Sequence, residues 1–194
     1  MNDLPGYDYG TARSAHSPLT LADLKALEQT AGFTDEDRAA LKQAGEVLAD
    51  QAEGLVDSWR AEIGKQNHLA ECFFGPDGKP DENYKAAVKK RFVQWVTDLC
   101  TRPRDQVWLD YQEEIGLRHT PAKKNQTDHA RTPNVVPLRY LFAFVPTIVL
   151  NTKPFLAKKG HSPDQVERMY RAWFKAVTVD ITLWSRPYVP DGMW

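Results

Sequence analysis

Cysteine is scarce. Cys72 and Cys100 are the only two in 194 residues, and no Cys-x-x-Cys pair occurs, so a structural zinc site has no thiolate framework. An excess of either charge is also missing. Twenty-five basic residues face 26 acidic ones, for a formal net charge of −1, which leaves no electrostatic case for nucleic acid or an anionic membrane. The opening stretch "MNDLPGYDYGTARS" lacks an apolar h-region, which argues against a secretory signal. The longest apolar run, Tyr140 to Leu150, contains Pro146 and is too short to span a bilayer. Nothing reads as a strand pair, a glycine-rich phosphate loop or a repeat of roughly 20–50 residues. The expectation left standing is a soluble, reduced, cytoplasmic protein with one domain.

Apolar residues and rings are what the chain does have. Apolar side chains make up 42% of the residues, with six Trp, seven Tyr and eight Phe. Large flat side chains fill a wide core or line a flat ligand, and composition does not separate the two.

Apolar positions recur at helical spacing over most of the chain. Met1 to Ser17 is the exception: rich in Gly, Pro, Ser and Tyr, it reads as an extended arm or a disordered tail, with Tyr7 and Tyr9 able to pack back on the domain. Leu19, Leu21, Leu24 and Leu27 mark a short helix ending near Gly32. Thr34 is an N-cap candidate for a helix that runs to about Ile63 or breaks near Gly54. Its later face carries Leu55, Val56, Trp59 and Ile63. "GPDGKP" signals a loop between Gly64 and Pro80.

Asp81 starts a helix whose face bears Tyr84, Val88, Phe92, Trp95, Val96 and Leu99, and Pro103 ends it. Trp108, Tyr111, Ile115 and His119 align on the next segment, and Thr120 to Pro133 is a polar loop. Pro137 suits the first turn of a long helix reaching about Lys159, bent at Pro146 or Pro154. Ser162 and Pro163 open the last helix, striped by Val166, Tyr170, Trp173, Val177, Ile181 and Trp184. The predicted class is all-α, with six to eight helices.

His119 carries the most chemical information. An imidazole at the end of an apolar stripe points at the core. One histidine suffices as an axial ligand for haem iron, because the porphyrin supplies the other four nitrogens, whereas zinc needs partners. The plainer alternative is a core-edge histidine that bonds a carbonyl and helps to end the helix. Trp59, Phe92, Trp95, Leu141, Phe142 and Phe144 are available as walls of a flat slot, and Arg91, Arg118, Lys123 and Lys124 as rim cations for propionates. The same residues also suit an ordinary core and a solvated face. Glu113 and Glu114 read as solvated.

Several stretches, in order and nearly end to end, are similar to a known family. They are "PGYDYG" at Pro5 to Gly10, "AGEVLADQ" at Ala44 to Gln51, "FFGPDGKP" at Phe73 to Pro80, "WLDYQEEIGLRH" at Trp108 to His119, "KPFLAKKGHSP" at Lys153 to Pro163 and "MYRAWFKAV" at Met169 to Val177. The chain resembles a protoglobin, the single-domain globin lineage related to globin-coupled sensors. The resemblance implies a globin fold with an additional N-terminal helix and an extended arm, binding haem b. Residues 1–18 would be the arm covering the haem and residues 19–194 the globin domain.

His119 matches the proximal iron ligand, Trp59 and Phe92 match distal aromatic positions, and Phe144 matches another residue near the distal side. The expected haem-contacting set is Trp59, Arg60, Ile63, Phe92, Trp95, Tyr111, Ile115, Leu117, His119, Leu141 and Phe144. The family also implies a homodimer through the last two long helices, which carry Trp173, Val177 and Trp184. Two positions depart from the pattern. Arg60 stands where Tyr is common after the distal Trp, and can reach a propionate or an anionic ligand, or turn to solvent. Thr120 stands where relatives often have a second His.

Three functions follow as expectations. The first is reversible binding of O₂, CO or NO for gas sensing or oxygen transport. The second is haem-dependent catalysis: peroxidase, NO-converting, or carbene and nitrene transfer. The third is a haem-free structural module in which His119 only caps a helix.

Overall fold

The computed structural model describes residues 4–190 and 192–194; the first three residues of the expected arm lie outside the described residues. Eight α-helices form among the described residues: α1 Leu21–Thr30, α2 Asp35–Leu48, α3 Ala52–Gly64, α4 Asn67–Ala70, α5 Glu82–Thr101, α6 Gln106–Leu117, α7 Leu138–Leu156 and α8 Pro163–Ser185. Three short 3₁₀ turns accompany them, and among the described residues no strand forms beyond an isolated bridge between Phe74 and Pro80. The all-α expectation holds.

Local sequence sets the helix starts. Thr20, Thr34 and Ser162 cap α1, α2 and α8 in reciprocal boxes with Asp23, Asp37 and Gln165. Asp81 and Asp105 accept the Tyr84 and Trp108 backbone N–H groups at the heads of α5 and α6. The α2–α3 break lies at residues 49–51, not near Gly54. There the Gln51 amide donates to the carbonyls of Val47 (2.8 Å) and Phe155 (3.2 Å), which fixes the turn from both sides. The stretch 64–80 is not all loop either: it holds α4 and a 3₁₀ turn at Glu71–Phe73. The loop GPDGKP is closed by a 2.7 Å bond from the Gly75 N–H to the Lys79 carbonyl.

The last helix, α8, is the hub, packed against α2, α6 and α7. Met169, Ala172, Trp173, Ala176, Val177 and Val179 are fully buried along it. Of the residues that the helices named for a dimer carry, Trp173, Val177 and Trp184 are buried inside the protomer. A buried ring removes ~150–250 Å² from water, a gross gain of roughly 4–6 kcal/mol at ~25 cal/mol per Å². Close approach matters where α2 crosses α5: a Cβ on Gly45 would lie 2.7 Å from the Cys100 Cβ.

With its 3₁₀ extension, α7 covers Leu138–Lys159, 22 residues whose most apolar 18-residue window has mean hydropathy 1.3, enough by length and composition to cross a membrane. Leu141, Ile148, Val149, Thr152 and Leu156 on it nevertheless pack into the core, and both Pro146 and Pro154 lie within the helix.

Glu113 and Glu114, expected in solvent, are buried at 4% and 2% exposure. Glu113 pairs with Arg186. Glu114 accepts from Arg118 (2.9 Å), Lys123 (2.6 Å) and the Ala15 backbone N–H (2.9 Å). The arm explains the burial. It is fastened over this side of the domain, with Asp110 accepting the Ser17 N–H at 3.0 Å and Tyr7 reaching Asp98 at 2.5 Å.

Candidate functional site

An apolar cavity of about 240 Å³ opens between α3, α5, α6, α7 and α8, with the arm and the 118–136 loop at its edge. Nine of the eleven expected contact residues line it: Arg60 and Ile63 from α3, Phe92 and Trp95 from α5, Tyr111 and Ile115 from α6, His119 just beyond α6, and Leu141 and Phe144 from α7. Trp59 and Leu117 do not. Trp59 is fully buried one layer back, its ring 5.1 Å from that of Phe92. Phe142 is not a wall either, because it points outward with 47% exposure.

His119 follows the end of α6 in a tight turn, its N–H bonded to the Gly116 carbonyl at 3.0 Å. Its Nδ1 lies 2.8 Å from the Ile115 carbonyl oxygen. A carbonyl only accepts, so Nδ1 carries the proton and Nε2 keeps its lone pair. Burial, helped by Lys124 and Arg118 and opposed by that hydrogen bond, holds the imidazole below its ordinary pKa and so neutral at pH 7. Trp184 stacks on the ring at 5.7 Å and 16°. The His119 carbonyl accepts from the Val136 N–H (2.9 Å) and the Tyr188 hydroxyl (2.9 Å). Ring and backbone are therefore both fixed, and Nε2 makes no hydrogen bond among the described residues.

The expected rim cations divide. Arg91 forms a forked pair with Asp128 at 2.9 and 2.5 Å, and Arg118 bonds Asp8 at 2.8 Å and the Gly6 carbonyl. Lys123 is turned to Glu114 and lies off the cavity. Lys124 is the unusual one: it lines the cavity at 4% exposure, donating to the Cys72 carbonyl (2.9 Å) and the Thr132 hydroxyl (2.7 Å). Desolvation pushes its ammonium down to about 8. Arg60 also lines the wall, with Nη1 donating to the Lys85 carbonyl at 2.9 Å.

Sequence reasoning left out several wall residues. Tyr84 and Val88 share a face with Phe92 and Trp95 at steps of four, four and three, so the helical period already contained them. Tyr7 and Trp184 also line the cavity. They come from opposite ends of the chain, and only long-range packing brings them here.

The family model for Protoglobin matches residues 20–194. The chain belongs to the protoglobin family. Its fold is that of a globin: the ferric globin domain of E. coli DosC aligns with a TM-score of 0.62 at 12% identity, covering 85% of this chain and 97% of that one. No curated protein sequence matches the chain significantly.

A protoglobin implies haem, and the residues of this protoglobin fit one. No three His, Cys, Asp or Glu side chains converge among the described residues, so the cavity offers a metal one neutral nitrogen, which is what a porphyrin-held iron needs. The walls are apolar, and Lys124 is a buried cation that no carboxylate neutralises among the described residues.

Proposed function

We propose that this protoglobin binds haem b and uses it to hold diatomic gases, O₂, CO and NO, reversibly, as a gas sensor or an oxygen carrier in the cytoplasm. The observation that carries this reading is His119, whose proton sits on Nδ1 and whose Nε2 is left unpartnered beside an apolar cavity. Bound haem would supply the iron that takes the gas. The chain supplies the rest. His119 would hold the iron from one side, Phe92, Trp95 and Phe144 would exclude water, and Lys124 and Arg118 would meet the propionates. Trp59 and Leu117 would act from behind the wall.

Arg60 is the distal polar candidate. Turning it to a ligand means giving up its bond to the Lys85 carbonyl, a cost of about 1 kcal/mol, which a charge-assisted bond to bound O₂ or an anion can offset. Expression with haem, reduction and addition of CO test the reading. A Soret shift is expected, and its absence refutes it.

A second reading, haem-dependent peroxidase, NO-converting or carbene and nitrene transfer activity, draws on Arg60 as a fixed positive charge on the cavity wall. Peroxide turnover of the parent, Arg60→Tyr and Arg60→Ala decides it. Equal, negligible rates remove this role.

A further inference from the structure

The arm carries a redox-capable group that gas binding does not use. Tyr7 lines the cavity, and its hydroxyl donates to Asp98 Oδ2 at 2.5 Å. Asp98 is 5% exposed; its other oxygen accepts from Gln94 (2.9 Å) and Arg102 (3.1 Å), and Arg102 Nη2 lies 3.3 Å from the Tyr7 oxygen. Tyr9 stacks on Tyr7 at 6.2 Å and 9°, is partly exposed, and lies under the Arg102 guanidinium at 4.4 Å. Tyr111 meets both rings edge-on, at 5.3 and 5.4 Å. Rings in contact thus run from the cavity to the surface. Tyr7 and Tyr111 both line the cavity, and of the two Tyr7 has a carboxylate ready to take its proton, which is what a phenol needs in order to lose an electron without a charge being left in a low-dielectric site.

We propose that Tyr7 is a one-electron relay, through which phenolic donors that dock at Tyr9 reduce hydroperoxides in the cavity. The proposal rests on the haem reading. Tyr7 gives an electron to the oxidised site and its phenolic proton passes to Asp98. The donor then returns an electron through Tyr9, Asp98 hands the proton back, and the donor's own proton goes to solvent. Two such cycles, with two protons from solvent, convert a hydroperoxide ROOH and two donors AH into ROH, water and two donor radicals. Trp95 is the competing wall group, donating to the buried Asp180 at 2.9 Å. It has only 5% exposure, and the partly exposed ring it meets, Phe92 at 5.4 Å, carries no phenol to relay an electron.

The test is freeze-quench electron paramagnetic resonance on haem-loaded protein mixed with hydrogen peroxide, with ordinary and ring-deuterated tyrosine. The parent is expected to give a radical signal that narrows on deuteration. Tyr7→Phe loses most of that signal, while Tyr111→Phe, whose hydroxyl has no carboxylate partner among the described residues, keeps it. Tyr9→Phe keeps the signal but slows guaiacol oxidation. A loaded protein whose signal fails to narrow, or survives intact in folded Tyr7→Phe, overturns the relay alone. A chain that shows no haem absorption overturns the relay together with the reading beneath it.

Discussion

The His119 Nδ1–H donates to the Ile115 carbonyl, four residues back, at 2.8 Å. This single bond fixes the tautomer and leaves the opposite nitrogen basic. The last turn of α6 therefore does two jobs: its register aims the ring, and its orphan carbonyl sets the ring's proton. His119→Ala removes the imidazole nitrogen proposed to meet the iron. The expected outcome is loss or severe weakening of haem uptake, read from the Soret band, with helical circular dichroism retained. Apo stability should fall by about 1–2 kcal/mol for the lost hydrogen bond and the contact with Trp184. An unchanged Soret band would place the iron elsewhere.

Much of this site was legible because one helical period governs it. Phe92 and Trp95 on one helix, and Tyr111, Ile115 and His119 on another, are one face each, and the structure turns both faces to the same cavity. The family resemblance located Arg60 and Phe144 there as well. Three things were not legible. The burial of Glu113 and Glu114 depends on an arm and on Arg186, both far away in sequence. The resemblance put a dimer on the last two helices, but a stripe says which residues share a face, not what covers it, so the burial of Trp173, Val177 and Trp184 inside the protomer was not legible. Trp59 sits one layer behind the wall, a depth that periodicity does not encode.

Gly6 fastens the arm. Its φ is +73°, and an added Cβ would lie 2.6 Å from Arg91 Nη1 and 2.6 Å from the Thr127 methyl. Arg91 has little room to yield, being tied to Asp128 and to the Pro5 carbonyl. Gly6→Ala therefore costs about 1–2 kcal/mol in backbone strain, added to the steric conflict, and the penalty falls on the arm. Limited proteolysis should cut residues 4–17 faster in the variant, and haem should dissociate faster if the arm closes the cavity. Protection equal to the parent would show that the arm tolerates the change.

Asp180 is fully buried, with Oδ2 bonded to the Trp95 indole and Oδ1 unpartnered. Desolvation, only partly offset by Arg104 and the Trp95 bond, raises it from 3.8 to about 6. The folded protein therefore holds this proton more tightly than the unfolded chain does. The associated stability is fully present below pH ~3.8 and is lost as pH rises to ~6, a change on the order of 3 kcal/mol. Asp180→Asn keeps an acceptor for Trp95 and abolishes the titration. Denaturant unfolding of the two proteins between pH 4 and 7 should show this component of the slope in the parent and not in the variant. Parallel curves would mean that Arg104 keeps the carboxylate ionised throughout.

The dimer proposal now rests on different residues from those the sequence offered. Phe142, Pro146 and Leu150 follow at steps of four on α7. Phe142 is 47% and Leu150 61% exposed, and Phe174 on α8 is 50% exposed. About half of each of these side chains is left open by the protomer, and two neighbouring helices present them. A two-fold interface uses each residue twice. Burying one Leu is worth ~1.5–3 kcal/mol, so Leu150→Asp should cost a symmetric dimer at least about 3 kcal/mol, more than a hundredfold in Kd. Sedimentation equilibrium of the parent, Leu150→Asp and Phe174→Ser reads this directly, with unfolding curves to show that each protomer is intact. A monomeric parent, or a Leu150→Asp dimer of undiminished affinity, would remove α7 and α8 from the interface.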